Sequence, residues 1–480
     1  MTTHAPAATD AARTAPARSR TLALAVLCAG MLMIVLDGSI VTVALPAIQD
    51  DLHFSPAGLT WTVNAYLIAF GGLLLLAGRL GDLIGRKRLF VAGLAVFTAA
   101  SLLCALATGQ GMLIAARFLQ GVGGALASSV SLGMIVTLFP EPRERGRAIG
   151  AFSFVGAAGA SIGQVLGGVL TEALDWHWIF LINLPLGLAA ALLAIRVLEN
   201  DRGPGLRGGA DALGAALITA ALMLGIYTIV GTGEHGWASA RTLGLGALSL
   251  ALLAGFLLRQ ARAAQPLLPL RMFRSRNVSG ANLVQVLTIS GMFGFQIIVA
   301  LYMQQVLGYG AAATGLAMLP AAASIGVVSL LLSARLSARF GERAVLLAGL
   351  ALLTAALGLL VRLPADADYV VHLLPTMLLI SGGGLVLSAL AVLGMSGAGP
   401  EDAGTASGLF NTTQQVGGAL GVAVLSTLAG GRTAALAASG HSAADALTGG
   451  FRLAFAVAAG LLAVALVLAA TVLRPTGQQS

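Results

Sequence analysis

Gly78-Arg79-Leu80-Gly81-Asp82-Leu83-Ile84-Gly85-Arg86-Lys87-Arg88 is the stretch on which the architecture turns. An apolar run ends as it begins and another starts where it stops, so it is a tight turn between two long elements. Glycines permit the bend, and one acid sits among four bases. A simple stop-transfer cluster would need the bases, but not the ordered Gly-x-x-Gly-Asp-x-x-Gly spacing. A worn copy stands further on as Arg335-Leu336-Ser337-Ala338-Arg339-Phe340-Gly341-Glu342-Arg343. Arg79, Leu80 and Gly85 map onto Arg335, Leu336 and Gly341 at a constant offset of 256 residues, with Ala338 where Asp82 would fall. The chain therefore reads as two related halves.

Outward from these turns, the sequence is apolar nearly everywhere. Of 480 residues, 58% are apolar and only 10% charged. A soluble domain carries roughly a quarter charged residues, so a water-soluble globule is excluded. A membrane helix needs about 20 apolar residues, and fourteen such spans can be drawn. They cover 21–45, 59–79, 89–108, 111–138, 147–171, 178–198, 211–231, 241–259, 279–305, 313–335, 343–362, 371–397, 403–430 and 449–473. Residues 1–20, rich in Ala, Thr and Pro, read as a disordered tail. The first apolar run is too long for a signal-peptide core and holds Asp37, so it reads as a retained helix.

The formal charge of +8 marks topology rather than nucleic acid. Twenty-two of the 27 basic residues fall in the tails and in alternate loops, from Arg13 to Arg474. Only Arg241, Arg362, Arg432 and Arg452 fall on the other side. The positive-inside rule then makes both termini cytoplasmic. Glu401 and Asp402 lie in a base-free loop on that side, but acids count little in the rule. The two cysteines, Cys28 and Cys104, lie within apolar runs and imply no disulfide framework. The six histidines show no metal-ligand spacing, and no phosphate loop or nucleophile motif is present.

Two charges remain inside spans. Arg117 lies well within the fourth, and Asp37 is the one acid placed deep in a helix; Asp82 and Asp211 sit at membrane edges. Ionised groups at mid-membrane face a cavity or a partner, and they default to function. Asp37 and Arg117 read either as a structural pair joining two helices or as a proton or substrate site. A carboxylate suits the second role, because burial can bring its titration into the physiological range.

The Gly78–Arg88 loop resembles the signature loop of the major facilitator superfamily. Leu36-Asp37 through Ala44-Leu45-Pro46 resembles the first-helix motif of that family's fourteen-helix drug:proton antiporter branch. Leu113 through Gly124, containing Arg117 and Gln120, resembles the fourth-helix motif. Trp176 through Gly187 and Gly408 through Gly418 resemble two further hallmarks. The resemblance runs from about residue 21 to 473 and implies an all-α polytopic fold. A six-helix bundle (21–198) is expected, then two linking helices with cytoplasmic loops (199–276), a second six-helix bundle (277–473) and a tail (474–480).

The resemblance further implies a secondary transporter of a bacterial plasma membrane. It would export small, mostly apolar or cationic compounds against protons by alternating access. The partners would be lipid, protons and the substrate, with no nucleic acid, no obligate protein partner, no metal and no cofactor beyond the proton gradient. A proton-coupled importer on the same fold is the alternative, and a membrane-embedded enzyme a remote one. Asp37 and Arg117 would couple protons. Gly78, Asp82, Gly85 and Arg86 would govern a cytoplasmic gate, with Asp82 meeting the start of span thirteen around Gly404, Thr405 and Ala406.

Amides within the spans (Asn64, Gln120, Gln164, Gln285, Gln296, Asn411 and Gln414) are weaker candidates for a substrate cavity; each also fits an interhelical hydrogen bond. Gln164 marks a departure. The family's fifth-helix motif has proline there, and this chain reads Gly163-Gln164-Val165-Leu166-Gly167-Gly168. The change removes a kink, restores a backbone donor and places an amide in the membrane.

Overall fold

The computed structural model describes residues 17–139, 141–201, 211–263, 266–268, 270–395 and 403–474, and it is helical throughout. The long helices are α1 (Ala17–Leu52), α2 (Trp61–Ile84), α3 (Arg86–Ala105), α4 (Gln110–Leu138), α5 (Pro142–Ala173), α6 (Asn183–Val197) and α7 (Ala212–His235). They continue as α8 (Ala240–Arg262), α9 (Arg276–Gln305), α10 (Ala311–Val327), α11 (Glu342–Leu360), α12 (Gly382–Met395), α13 (Ala403–Ala438) and α14 (Ala443–Val472). Among the described residues, 12 helical segments are long and apolar enough to cross a membrane. The other two long helices are α2 and α5, with 24 and 32 residues, where the second and fifth spans are expected. At 1.5 Å per residue, even the shorter of them reaches about 36 Å, beyond a hydrocarbon core of about 30 Å. The end of the molecule at which α1 starts is called the tail end below, and the opposite one the far end.

The two copies of the turn motif fold alike. Gly85 joins α2 to α3 at φ 102°, and Gly341 opens α11 at φ 80°, both in the region that favours glycine. Gly85 N–H donates to the Gly81 carbonyl at 3.0 Å, and Gly341 N–H to the Ser337 carbonyl at 2.9 Å. The donors and the acceptors are each separated by the offset read from the sequence.

Two large apolar cores form, beside a small one around Phe256, Met272 and Val278. One gathers side chains of α1–α7, including Leu27, Ile40, Phe90, Phe97 and Phe180. The second gathers α9–α14, including Leu346, Leu353, Leu390 and Phe455. Between them α7 packs against both α2 and α13, and Thr219 of α7 fits over Gly72. Its hairpin partner α8 packs on α7 and leaves Leu243, Leu248, Leu250 and Leu258 exposed. The glycine ladder of α5 brings it against α1: a Cβ on Gly163 would lie 2.8 Å from the Leu36 carbonyl. Gly168, on another face of α5, meets Ala311 and Ala312 of α10 just as closely, so α5 bridges the two halves.

Several boundaries differ from the expected ones. Helix α1 runs to Leu52, because Pro46 removes one donor without ending the helix. The twelfth span is interrupted: Leu374–Leu379 is a separate short helix, and α12 begins at Gly382, pressed against Gly349 of α11.

Candidate functional site

Asp37 is fully buried in the first bundle, and three side chains from two helices converge on its carboxylate. Arg117 of α4 donates Nη1–H to Oδ2 at 2.6 Å. Gln120, one helical turn further along α4, donates Nε2–H to Oδ1 at 2.7 Å. Asn183, at the start of α6, donates Nδ2–H to the same oxygen at 2.8 Å. The 3.6-residue period puts Arg117 and Gln120 on one face of α4, which explains why both reach one carboxylate. Burial of such a pair is tolerated when geometry and extra hydrogen bonds offset lost hydration, and here they do.

Arg117 is held from every side. Its Nε–H donates to the Thr62 carbonyl of α2 at 2.8 Å, and Nη1–H also donates to Gln120 Oε1 at 2.6 Å. The guanidinium lies over the Tyr66 ring, 4.5 Å from its centroid, a favourable cation–π contact. Gln120 Nε2–H donates further to Ser101 of α3, and the Cys104 thiol donates to Gln120 Oε1. One acceptor is left over: Asn183 Oδ1 is buried with no hydrogen-bond partner.

A cavity of about 330 Å³ opens between the halves towards the far end. Thr60 just before α2, Val63 of α2, Leu301 and Gln305 of α9, Ser426 of α13 and Phe451 of α14 are among its walls. Among the described residues no charged side chain lines it. Thr62, whose carbonyl holds Arg117, lies between two cavity-lining residues, so one backbone layer separates the cavity from the ion pair. None of the seven sequence candidates for the cavity lines it. Gln120 is drawn into the ion-pair network instead. Asn64 and Gln285 are fully buried, with neither amide atom hydrogen-bonded. Gln164 is buried with Oε1 unpartnered, while Gln296, Asn411 and Gln414 are half-buried.

At the far end the halves are fastened. Gln304 donates to the Val43 carbonyl at 3.1 Å, and Gln305 to Gln49 Oε1 at 3.3 Å. Ala312 N–H, in the first turn of α10, donates to Glu172 Oε2 at the end of α5 at 2.9 Å. Sequence reading missed this acid, since an isolated glutamate in a loop carries no pairing signal.

At the tail end, Gly85 and Arg86 of the motif loop are placed by a residue that the motif does not contain. Asp201 accepts from Arg86 N–H at 2.6 Å and Lys87 N–H at 3.1 Å, capping α3. Arg86 Nη1–H donates to the Gly133 carbonyl and to Thr137 of α4. Lys87 Nζ donates to the Ile195 and Leu198 carbonyls, which ties α6 to the turn. Gly78 is in α2, and a Cβ there would meet nothing. The Asp82 side chain and those of Gly404, Thr405 and Ala406 lie outside the described residues.

Comparison with known proteins extends this picture. The sequence pattern of the Major Facilitator Superfamily matches residues 27–422. The chain is 40% identical over 467 residues to the puromycin resistance protein of Streptomyces alboniger, covering 96% of this chain and 92% of that one. It is 42% identical over 431 residues to the cephamycin export protein of Amycolatopsis lactamdurans, covering 89% and 88%. Similarity to the tetracenomycin C resistance and export protein of Streptomyces glaucescens is 35% over 403 residues, covering 84% and 74%. Among solved structures, the fold is similar to that of the POT family transporter PepTSo, with TM-score 0.70 at 15% identity, over 97% of this chain and 99% of that one.

Proposed function

Because the chain belongs to the Major Facilitator Superfamily, we propose that it exports small, mostly apolar antibiotic-like compounds in exchange for protons. Export as the direction is supported by the named roles of its relatives in resistance and export. Their bacterial sources and the lopsided basic loops support a bacterial plasma membrane with the tail end cytoplasmic. The uncharged cavity suits an apolar substrate better than a cationic one.

Proton coupling rests on a single observation: a fully buried carboxylate, tied through Arg117 to the helix that walls the cavity. When Asp37 takes a proton, its new O–H needs an acceptor, and every present neighbour donates. Asn183 supplies one by turning its amide, because Oδ1 is spare. The site can then satisfy both protonation states with the same residues. A proton on Asp37 removes the counter-charge of Arg117, which loosens the tie between α1 and the guanidinium while its bond to the Thr62 carbonyl of α2 is kept. Helix α2 is then free to shift against the cavity. The motif loop, through Lys87 and Arg86, would carry that shift to the tail-end gate.

The test is uptake of puromycin and related apolar compounds into inverted vesicles, with and without an acid-inside gradient. Accumulation should depend on the gradient and stop when it is collapsed. Accumulation indifferent to collapse would remove the coupling. Accumulation only in right-side-out vesicles would instead make the protein an importer.

A further inference from the structure

A second cleft, of about 190 Å³, lies at the far end away from the ion pair, between α2, α7 and α8. Its lining includes Ser55, Trp61, Tyr227, His235, Arg241 and Thr242. Arg241 is one of only four bases on this side of the membrane. It stands in the first turn of α8, a turn with no acid. A helix N-terminus is the positive end of the macrodipole, so a base there is misplaced unless an anion joins it. The turn is otherwise well formed, since Ser239 accepts from Thr242 N–H as the N-cap.

The guanidinium is held in place rather than left to wander. It donates from Nη2 to the Tyr227 hydroxyl at 2.6 Å and from Nη1 to His235 Nε2 at 2.7 Å. An arginine can only donate, so Nε2 accepts, which leaves Nδ1–H to donate to the Gly231 carbonyl at 3.2 Å. Among the described residues, two of the five N–H donors of the arginine are so used, and three remain for a ligand. Trp61 packs on Tyr227 with ring centroids 6.2 Å apart, and Trp237, in the turn between α7 and α8, is 57% exposed. Trp and Tyr gather at the level of lipid headgroups, and these mark that level here.

Below the cation runs an apolar track. Arg241, Leu245, Leu248 and Leu252 follow one another at spacings of four, three and four, on one face of α8. Leu248 is 51% exposed, and the other two leucines are half-buried. The track descends about 16 Å, the depth of one leaflet of a core about 30 Å thick. A fixed cation at headgroup depth above an apolar helix face one leaflet long is complementary to a lipid.

We propose that this cleft binds the phosphodiester of an anionic phospholipid, with Arg241 and the start of α8 as the phosphate site and the leucine track as the bed of one acyl chain. The lipid would pin the α7–α8 hairpin to α2. The inference needs only that the far end lies at a membrane surface, and it holds whatever the direction or cargo of transport.

The experiment uses the full-length protein, delipidated in detergent, with thermal melting and native mass spectrometry as readouts. Phosphatidylglycerol, phosphatidylethanolamine and inorganic phosphate are added at matched phosphate concentration. Phosphatidylglycerol should raise the melting temperature and remain bound, while the other two do so far less. Arg241→Gln should weaken retention about tenfold, the loss expected for one charge-assisted hydrogen bond. Arg432→Gln, which removes another exposed base of the same end, should retain lipid as wild type does. Each protein is compared with its own lipid-free melting temperature, so a change in basal stability does not mask the result. Equal retention by wild type and Arg241→Gln would overturn the site. A shift produced equally by inorganic phosphate would reduce it to a simple anion site, and one produced equally by phosphatidylethanolamine would refute selection for anionic lipid.

Discussion

Asp37 cannot be altered quietly, because each of its neighbours is committed. In Asp37→Asn, an oxygen turned towards Arg117 leaves the new NH2 facing two other donors. Asn183 can turn to accept, but Gln120 is fixed by Arg117 and Ser101. The variant should therefore fold with a lowered melting temperature, since breaking a buried pair costs about 3–5 kcal/mol. Gradient-driven export should be abolished, while substrate binding in the neutral cavity survives. Wild-type export by Asp37→Asn would move coupling elsewhere. Asn183→Leu keeps the ion pair but removes the acceptor for a protonated Asp37, so export should slow more than tenfold with binding intact; a normal rate would exclude the amide turn. The two charges were legible in the sequence, because charge in an apolar span is rare. Their pairing was one of two readings open in the sequence, and the fold, which brings together residues 80 positions apart, realises it. Gln120 looked like any other intramembrane amide, and Asn183 like part of a motif, because only the fold shows what an amide faces.

At the scale of elements, the turns were legible and their caps were not. Two glycines at a fixed offset foretold both sharp bends, since few other residues tolerate the backbone they adopt. Asp201, which caps α3, comes from 115 residues further on and follows no local pattern. Glu172 is similar: it caps α10 across the line between the halves. Without its carboxylate the N-terminus of α10 loses an acceptor, and the far end loses one fastening. Glu172→Ala should raise far-end labelling of a cysteine placed at Ser426 in the cavity, whereas unchanged labelling would show the contact to be incidental. Asp211 offers a pH test. Burial alone would raise its carboxyl, but the Arg259 side chain, the Gly214 N–H and the Gln260 amide together hold it below the usual carboxylate range. A carboxyl lowered in the folded state stabilises the fold above its unfolded titration range, and that stability is lost as pH falls through the lowered value. The melting temperature of wild type should therefore fall more steeply in acid than that of Asp211→Asn. Parallel acid profiles would show that the clasp adds nothing.

For the whole molecule, sidedness is the simplest expectation to check. In a variant lacking Cys28 and Cys104, a cysteine near Gly233 should be labelled on intact cells. One near Glu144 should react only after permeabilisation; equal labelling of both from outside would overturn the proposed orientation. The division into related halves was plain in the sequence, yet the halves are unequal. The offset that superimposes the two turns places Phe293 opposite Asp37 and Leu373 opposite Arg117, so the second bundle has no such ion pair at these positions. This inequality has an electrical consequence. With Asp37 ionised the buried pair is neutral, and with Asp37 protonated the first bundle carries the bare charge of Arg117. If Asp37 carries the coupled proton as proposed, the proton-loaded stroke moves a cation in the membrane field while the return stroke moves none, and a potential of 100 mV contributes about 2.3 kcal/mol per charge. A voltage clamped across proteoliposomes at equal pH should by itself power accumulation, which makes the exporter a device that runs on current as well as on acidity.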